Sequence, residues 1–123
     1  QFFSPGIPQV YYVGLLAGEN DIELLEKTKV GRNINRHYYS LEEAEANLER
    51  PVVKKLFDLM RFRNSYPAFD GKFSVEPKGE HGLQITWQKD AYKTVLDADL
   101  KHHRFAISYW DPDTRQESSL TLG

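Results

Sequence analysis

The stretch Val30–Ser40, VGRNINRHYYS, gathers Arg32, Arg36, His37, Tyr38 and Tyr39 directly behind a glycine. A guanidinium presents several donors in one plane, so an arginine here suits a carboxylate, a phosphate or a sugar hydroxyl. From the residues alone Arg32 reads first as a surface or structural arginine, with a ligand contact as the second reading. Arg36 and His37 read as structural, paired with carboxylates or set beside Tyr38, with a phosphate or pocket contact as the alternative. Glu19, Asn20 and Asp21 read as a loop turn and helix cap, or else as a pocket rim.

Other chemistry-bearing residues are weaker. His102 and His103 are adjacent, so on extended chain they point to opposite faces, and no carboxylate or Cys pattern accompanies them; no metal site is expected. Trp87, Tyr92, Tyr109 and Trp110 suit a carbohydrate platform or a core, and at least half of them are needed as core. KKLFDLMRFRN mixes basic and apolar residues, yet Lys and Arg number 16 against 18 Asp and Glu, a formal charge of -2. That balance offers no general pull on nucleic acid or an anionic membrane, and neither partner is expected.

Length and composition bound what can position these groups. With 123 residues, 40% of them hydrophobic, one domain or one domain plus an attached unit is expected. The lack of Cys excludes disulfides, thiolate metal sites and cysteine nucleophiles, and fits a reducing compartment; we expect the cytoplasm. The leading residues lack a basic segment and resemble neither a signal peptide nor a spanning helix. The chain opens on Gln1, which leaves a cut or processed start open.

Val10-Tyr11-Tyr12-Val13 predicts a strand buried on both faces. DIELLEKT predicts a short helix capped by Asp21. Ser40 followed by Glu43 is a capping-box pattern that starts a helix over LEEAEANLER, and Pro51 suits the first turn of another, PVVKKLFDLMRFRNS. Val53, Leu56, Phe57 and Met60 lie on one face of that second helix. Beyond Tyr66 the period becomes two, and KFSVE, LQITWQ, YKTVLDA, RFAISYW and SSLTL predict five antiparallel strands. A lone buried strand before such a meander has no partner for its backbone, so residues 1–67 read as the end of a larger α/β domain.

SPGIPQVYYVGLLAGENDIELLEKTKVGRNINRHYYS resembles the eighth strand, following loop and eighth-helix region of sucrose phosphorylases, a branch of the α-amylase family of glycoside hydrolases. GIPQVYY alone matches the broad family; VGLLAGENDIELL, GRNINRHYYS, RPVVKKL and FRN are similar to the sucrose-phosphorylase-like branch. The resemblance implies an α/β plus all-β fold: the last strand and helices of a (β/α)8 barrel in residues 1–67, then a five-stranded antiparallel β domain in residues 68–123.

It also implies an activity for an intact parent. Relatives move an α-glucosyl unit from sucrose to phosphate with retention, giving α-glucose 1-phosphate and fructose, with no metal or organic cofactor. Retention takes two carboxyl groups about 5 Å apart, and these, with a third stabilising Asp, are expected upstream of Gln1. No catalytic residue is therefore assigned here, and the chain alone is expected to be inactive. Arg32 matches the first arginine of the GRNINRH-type motif, which in these enzymes pairs with an Asp and holds the donor glucose at its 4-hydroxyl. Related phosphorylases of sucrose 6-phosphate, glucosylglycerol or glucosylglycerate, and a non-catalytic carbohydrate- or protein-binding β module, stay open. The barrel-facing residues Val10, Tyr12, Val53, Leu56 and Phe57 are expected to be exposed and to drive self-association.

Overall fold

The computed structural model describes residues 1–122, and its contacts divide the chain into two compact units. One, the β unit, joins Gln1–Ile7 to Leu59–Thr121; the other, the helical unit, is built from Pro8–Asp58.

The β unit is a five-stranded antiparallel meander in chain order: β1 (Lys72–Lys78), β2 (Gly82–Lys89), β3 (Tyr92–Asp99), β4 (Arg104–Asp111) and β5 (Gln116–Ser119). The alternation read from the sequence sets its register. Phe73, Trp87, Thr94 and Tyr109 line up across β1 to β4, and Val75, Ile85, Leu96 and Ile107 form the next row on the same face. Pro77 lacks an N–H and is tolerated in β1 because that strand is an edge. The fifth strand departs from expectation: it occupies Gln116–Ser119 rather than SSLTL, whose last residues leave the ladder after the Leu120 N–H bonds the Ile107 carbonyl.

Phe3, Ala68, Phe69, Trp87 and Ile107 form the buried core of this unit, bordered by Leu59, Phe62 and Tyr66. The Trp87 indole N–H is satisfied by the Phe3 carbonyl at 2.8 Å, which anchors the N-terminal segment. Arg63 reinforces the anchor by donating to the Gly6 carbonyl at 3.0 Å while its guanidinium lies 4.3 Å from the centre of the Phe69 ring. Burial draws the Arg63 guanidinium down from its ordinary range and lifts the Tyr66 phenol, whose hydroxyl meets the carbonyls of Lys93 and Trp110.

The helical unit contains α1 (Tyr12–Leu15), α2 (Ile22–Thr28), a 3-10 turn (Gly31–Asn35) and α3 (Leu41–Leu48). Helix α4 (Pro51–Ser65) starts in this unit and ends in the β unit. The expected N-caps are present: the Leu24 N–H donates to Asp21 Oδ1 at 2.8 Å and the Glu43 N–H to Ser40 Oγ at 3.1 Å.

The strand expected at Val10–Val13 is not formed. Tyr11 keeps extended dihedrals, but no strand runs beside it among the described residues, and the chain closes local bonds from Leu15 N–H to the Tyr11 carbonyl and from Leu16 N–H to the Tyr12 carbonyl. Exposure also differs from expectation. Val53 is fully buried and Leu56 and Phe57 are half-buried on the apolar stripe of α4, and Val10 is half-buried too; of the five, Tyr12 alone is exposed. No helix among the described residues is long and apolar enough to cross a membrane.

Candidate functional site

The loop joining α2 to α3 carries the polar cluster singled out in the sequence. Lys29 leaves α2 in the left-handed region, with a φ of 54°, and its N–H closes onto the Leu25 carbonyl. The 3-10 turn that follows was not legible as an element, since GRNIN has no apolar period and a single such turn needs none. It is tied back at two points: the Asp21 N–H donates to the Ile34 carbonyl at 2.6 Å, and the Asn33 amide to Thr28 Oγ1 at 2.9 Å.

Past the turn the chain brings His37 between two helix N-termini. Its Nδ1 lies 2.9 Å from Asp21 Oδ2 and its Nε2 lies 2.9 Å from Glu43 Oε1. A neutral imidazole has one N–H, so only the imidazolium can donate to both carboxylates. The bonds to Asp21 and then Glu43 raise the His37 pKa above its ordinary value, and the same contact, with the Leu24 N–H, holds the Asp21 carboxyl below its own. Glu43 thus completes only half a capping box. Its N–H meets Ser40, while its carboxylate, which in the full motif returns to the cap, instead holds His37.

Aromatic groups frame the histidine. The Tyr12 hydroxyl donates to the His37 carbonyl at 2.9 Å, and the Tyr39 ring meets the imidazole edge-on at 4.6 Å. Gly18 lets the chain pass close to this ring: a Cβ at that position would meet the Tyr39 hydroxyl and the Val13 side chain, which would have to shift. Asp21, His37, Glu43, Tyr39, Asn47 and Arg50 border a cavity of about 500 Å³ within the helical unit. Arg50 closes one end by donating from one nitrogen to the carbonyls of Leu16 and Ala17, both at 3.1 Å, which satisfies the C-terminus of α1. Asn47 carries no signal in the sequence, and Arg50 stands there only as the first residue of the RPVVKKL motif with no role attached, because a polar residue near the end of an exposed helix is ordinary.

Arg32 stands apart from this network. It lies in the 3-10 turn, exposed, with no hydrogen bond or ion pair among the described residues, and it does not border the cavity. Glu19 and Asn20 are exposed and border the cavity with Asp21. Tyr11 and Tyr12, expected in the interior of a strand, are both exposed, with rings 4.6 Å apart.

The β unit does not present its aromatics as one platform. Trp87 is buried, Tyr92 and Tyr109 pack their rings on Tyr66, and Trp110 alone is exposed. His102 belongs to the β3–β4 turn, where its Nδ1 meets Asp99 Oδ2 at 2.7 Å and pulls the Asp99 pKa down. No group of three or more metal-ligating side chains occurs among the described residues.

The relatives of this chain are phosphorylases. A sucrose 6(F)-phosphate phosphorylase of Thermoanaerobacterium thermosaccharolyticum is 52% identical over 109 residues, covering 89% of this chain and 22% of its own length. A glucosylglycerol phosphorylase of Marinobacter adhaerens is 48% identical over 120 residues, covering 98% of this chain and 25% of its own, and a sucrose phosphorylase of Bifidobacterium adolescentis is 54% identical over 101 residues, covering 82% and 20%. The crystal structure of sucrose 6F-phosphate phosphorylase from Thermoanaerobacter thermosaccharolyticum superposes on 99% of this chain and 25% of that one, with a TM-score of 0.93 and 48% identity. No protein-family model matches. The chain is homologous to the C-terminal part of sucrose phosphorylases and related phosphorylases, and spans 20–25% of the length of the curated relatives it matches.

Proposed function

We propose that this chain is the C-terminal part of a retaining glucosyltransferase of the α-amylase family, which moves an α-glucosyl unit from sucrose or a close analogue to phosphate. The observation that carries the reading is the match over 99% of the chain, at 48% identity, to a sucrose 6F-phosphate phosphorylase. In this reading residues 1–67 belong to the end of the catalytic (β/α)8 barrel and residues 68–123 form the β domain that follows it. Val10–Val13 is then a barrel strand that forms its ladder only beside a neighbouring strand. The nucleophile, the acid/base and the stabilising carboxylate are supplied by the rest of the barrel, which needs no metal or organic cofactor.

Arg32 is the substrate contact in this account. Barrel active sites are built from the loops after the strands, and Arg32 lies in the loop region that follows Val10–Val13. Its guanidinium is exposed and has no partner within the described residues, so its donors are available to an Asp of the barrel and to the glucose 4-hydroxyl together. The chain alone is inactive, and apolar residues it leaves exposed, such as Tyr38 at 78% and Leu41 at 76%, favour self-association.

A hybrid tests the reading: the Thermoanaerobacterium phosphorylase with its C-terminal part exchanged for this chain. The hybrid should release glucose 1-phosphate from sucrose 6-phosphate or sucrose with phosphate, and the 123-residue chain alone should release none. A folded hybrid without phosphorolysis, or clear turnover by the chain alone, would overturn it.

A further inference from the structure

The candidate arginine has no side-chain hydrogen bond or ion pair among the described residues, so its orientation depends on what fixes the loop that bears it. We propose that His37, as an imidazolium donating to Asp21 and Glu43 at once, is the positioning residue for Arg32, and that loss of its ring proton loosens the Arg32 turn. The proposal rests on the reading of Arg32 as the sugar contact for its consequence in catalysis, but its structural part stands on the loop alone.

The geometry is a triangulation on one residue. Asp21 holds the loop twice, through its N–H to the Ile34 carbonyl at 2.6 Å and through its carboxylate to His37 Nδ1 at 2.9 Å. Glu43 holds the far side of the same ring at 2.9 Å, and Asp21 and Glu43 sit at the N-termini of α2 and α3. Two attachments three residues apart, with a third from α3, leave the turn at Gly31–Asn35 little freedom to swing, and Arg32 is carried with it.

The clamp depends on protonation because its acceptors are fixed. When the ring is neutral one carboxylate faces a nitrogen lone pair at hydrogen-bond distance, which is repulsive, so the ring must turn or α3 must withdraw. The other charged groups on the cavity wall are Glu19 and Glu23 from the α2 side and Arg50 from the end of α3. Tyr12 and Tyr39 touch the loop, and Arg36 precedes the histidine in the chain. Among the described residues no other group bonded to or stacked on His37 offers a positive charge to take over if the ring proton leaves.

The test needs no substrate. In the full 123-residue chain labelled with ¹⁵N-histidine, imidazole long-range NMR should find both nitrogens of His37 protonated on the acid side of its titration, with the midpoint above the ordinary histidine value. The protection of the Asp21 amide, corrected for intrinsic exchange, should fall at least ~10-fold as the pH is raised through the His37 titration. Glu43→Gln, which keeps the side-chain shape, should lower the midpoint of that titration, and His37→Gln should weaken Asp21 protection already in mild acid. A His37 midpoint at or below the ordinary histidine value, or Asp21 protection indifferent to His37 titration, would overturn the proposal. In the hybrid phosphorylase the KM for the glucosyl donor should rise as the pH is raised through the His37 titration, and that rise should vanish in His37→Gln. If Arg32→Ala leaves the hybrid active while His37 still governs the Asp21 amide, the substrate reading fails and the clamp stands. If Arg32→Ala abolishes turnover and His37→Gln leaves the pH profile unchanged, the clamp fails and the substrate reading stands.

Discussion

The two units of the chain are held by different forces. The β unit buries Phe3, Ala68, Phe69, Trp87 and Ile107 under a meander whose strands follow one another by short turns. Among the described residues the helical unit buries Val13, Leu16 and Val53, and its loop is fixed by directional polar bonds centred on Asp21, His37, Glu43 and Arg50. Burial of apolar area is insensitive to protonation, whereas a shared imidazolium is not. A scaffold held by the first force therefore tolerates wide conditions, and a loop held by the second can respond to them.

Substitutions should separate the two regimes. The largest loss is expected from Trp87→Ala, which empties the centre of the β unit and removes the indole bond to Phe3; it should cost about 3–5 kcal/mol in urea unfolding followed by circular dichroism. A loss below about 1 kcal/mol would mean that the β unit is not organised around this residue. Arg63→Ala removes the stacking on Phe69 and the bond to Gly6, and should cost roughly 1–2 kcal/mol in the same assay. Ser40→Ala removes the cap of α3 and should cost about 1 kcal/mol, read as faster exchange of the Glu43 amide with the β unit unaffected.

The pH response sharpens the contrast further. His37 is raised above its ordinary value of about 6.5, so its stabilising effect is complete below that value and is lost as the pH rises through the higher folded value. Asp21 is lowered, so its contribution is present above about pH 4 and is lost as the pH falls through its folded value. Amide protection in the helical unit should therefore be greatest between about pH 4 and 6.5 and decline on the alkaline side, while that of the β unit stays level. Parallel decline in both units would remove the distinction.

How much of this was legible in the sequence follows the same division. Period-two alternation, as in Leu83, Ile85 and Trp87, is a local property, and four of the strands fall where it predicts. Caps are local too, and Asp21 and Ser40 were readable from the residues next to them. Val10–Val13 misled because its apolar, β-branched composition states a preference that only a neighbouring strand can realise. The last strand was misplaced because SSLTL offers an apolar pattern while pairing to β4 is set by the turn that precedes Gln116. The sequence around His37 points to a structural role, with carboxylate pairing among the readings; which carboxylates it does not reveal, since Asp21 lies 16 residues away and meets His37 only once the loop has folded. Arg32 was legible by motif alone, and nothing in its own contacts within the described residues distinguishes it.

That makes Arg32 the most exposed part of the account to experiment. Because it has no partner within the described residues, Arg32→Ala should leave melting and the His37 titration unchanged. In the hybrid phosphorylase the same substitution should lower turnover at least ~10²-fold, the scale of removing one preorganised donor. A hybrid that folds, turns over normally before substitution and keeps near-normal turnover after Arg32→Ala would contradict the assignment of this residue to the substrate.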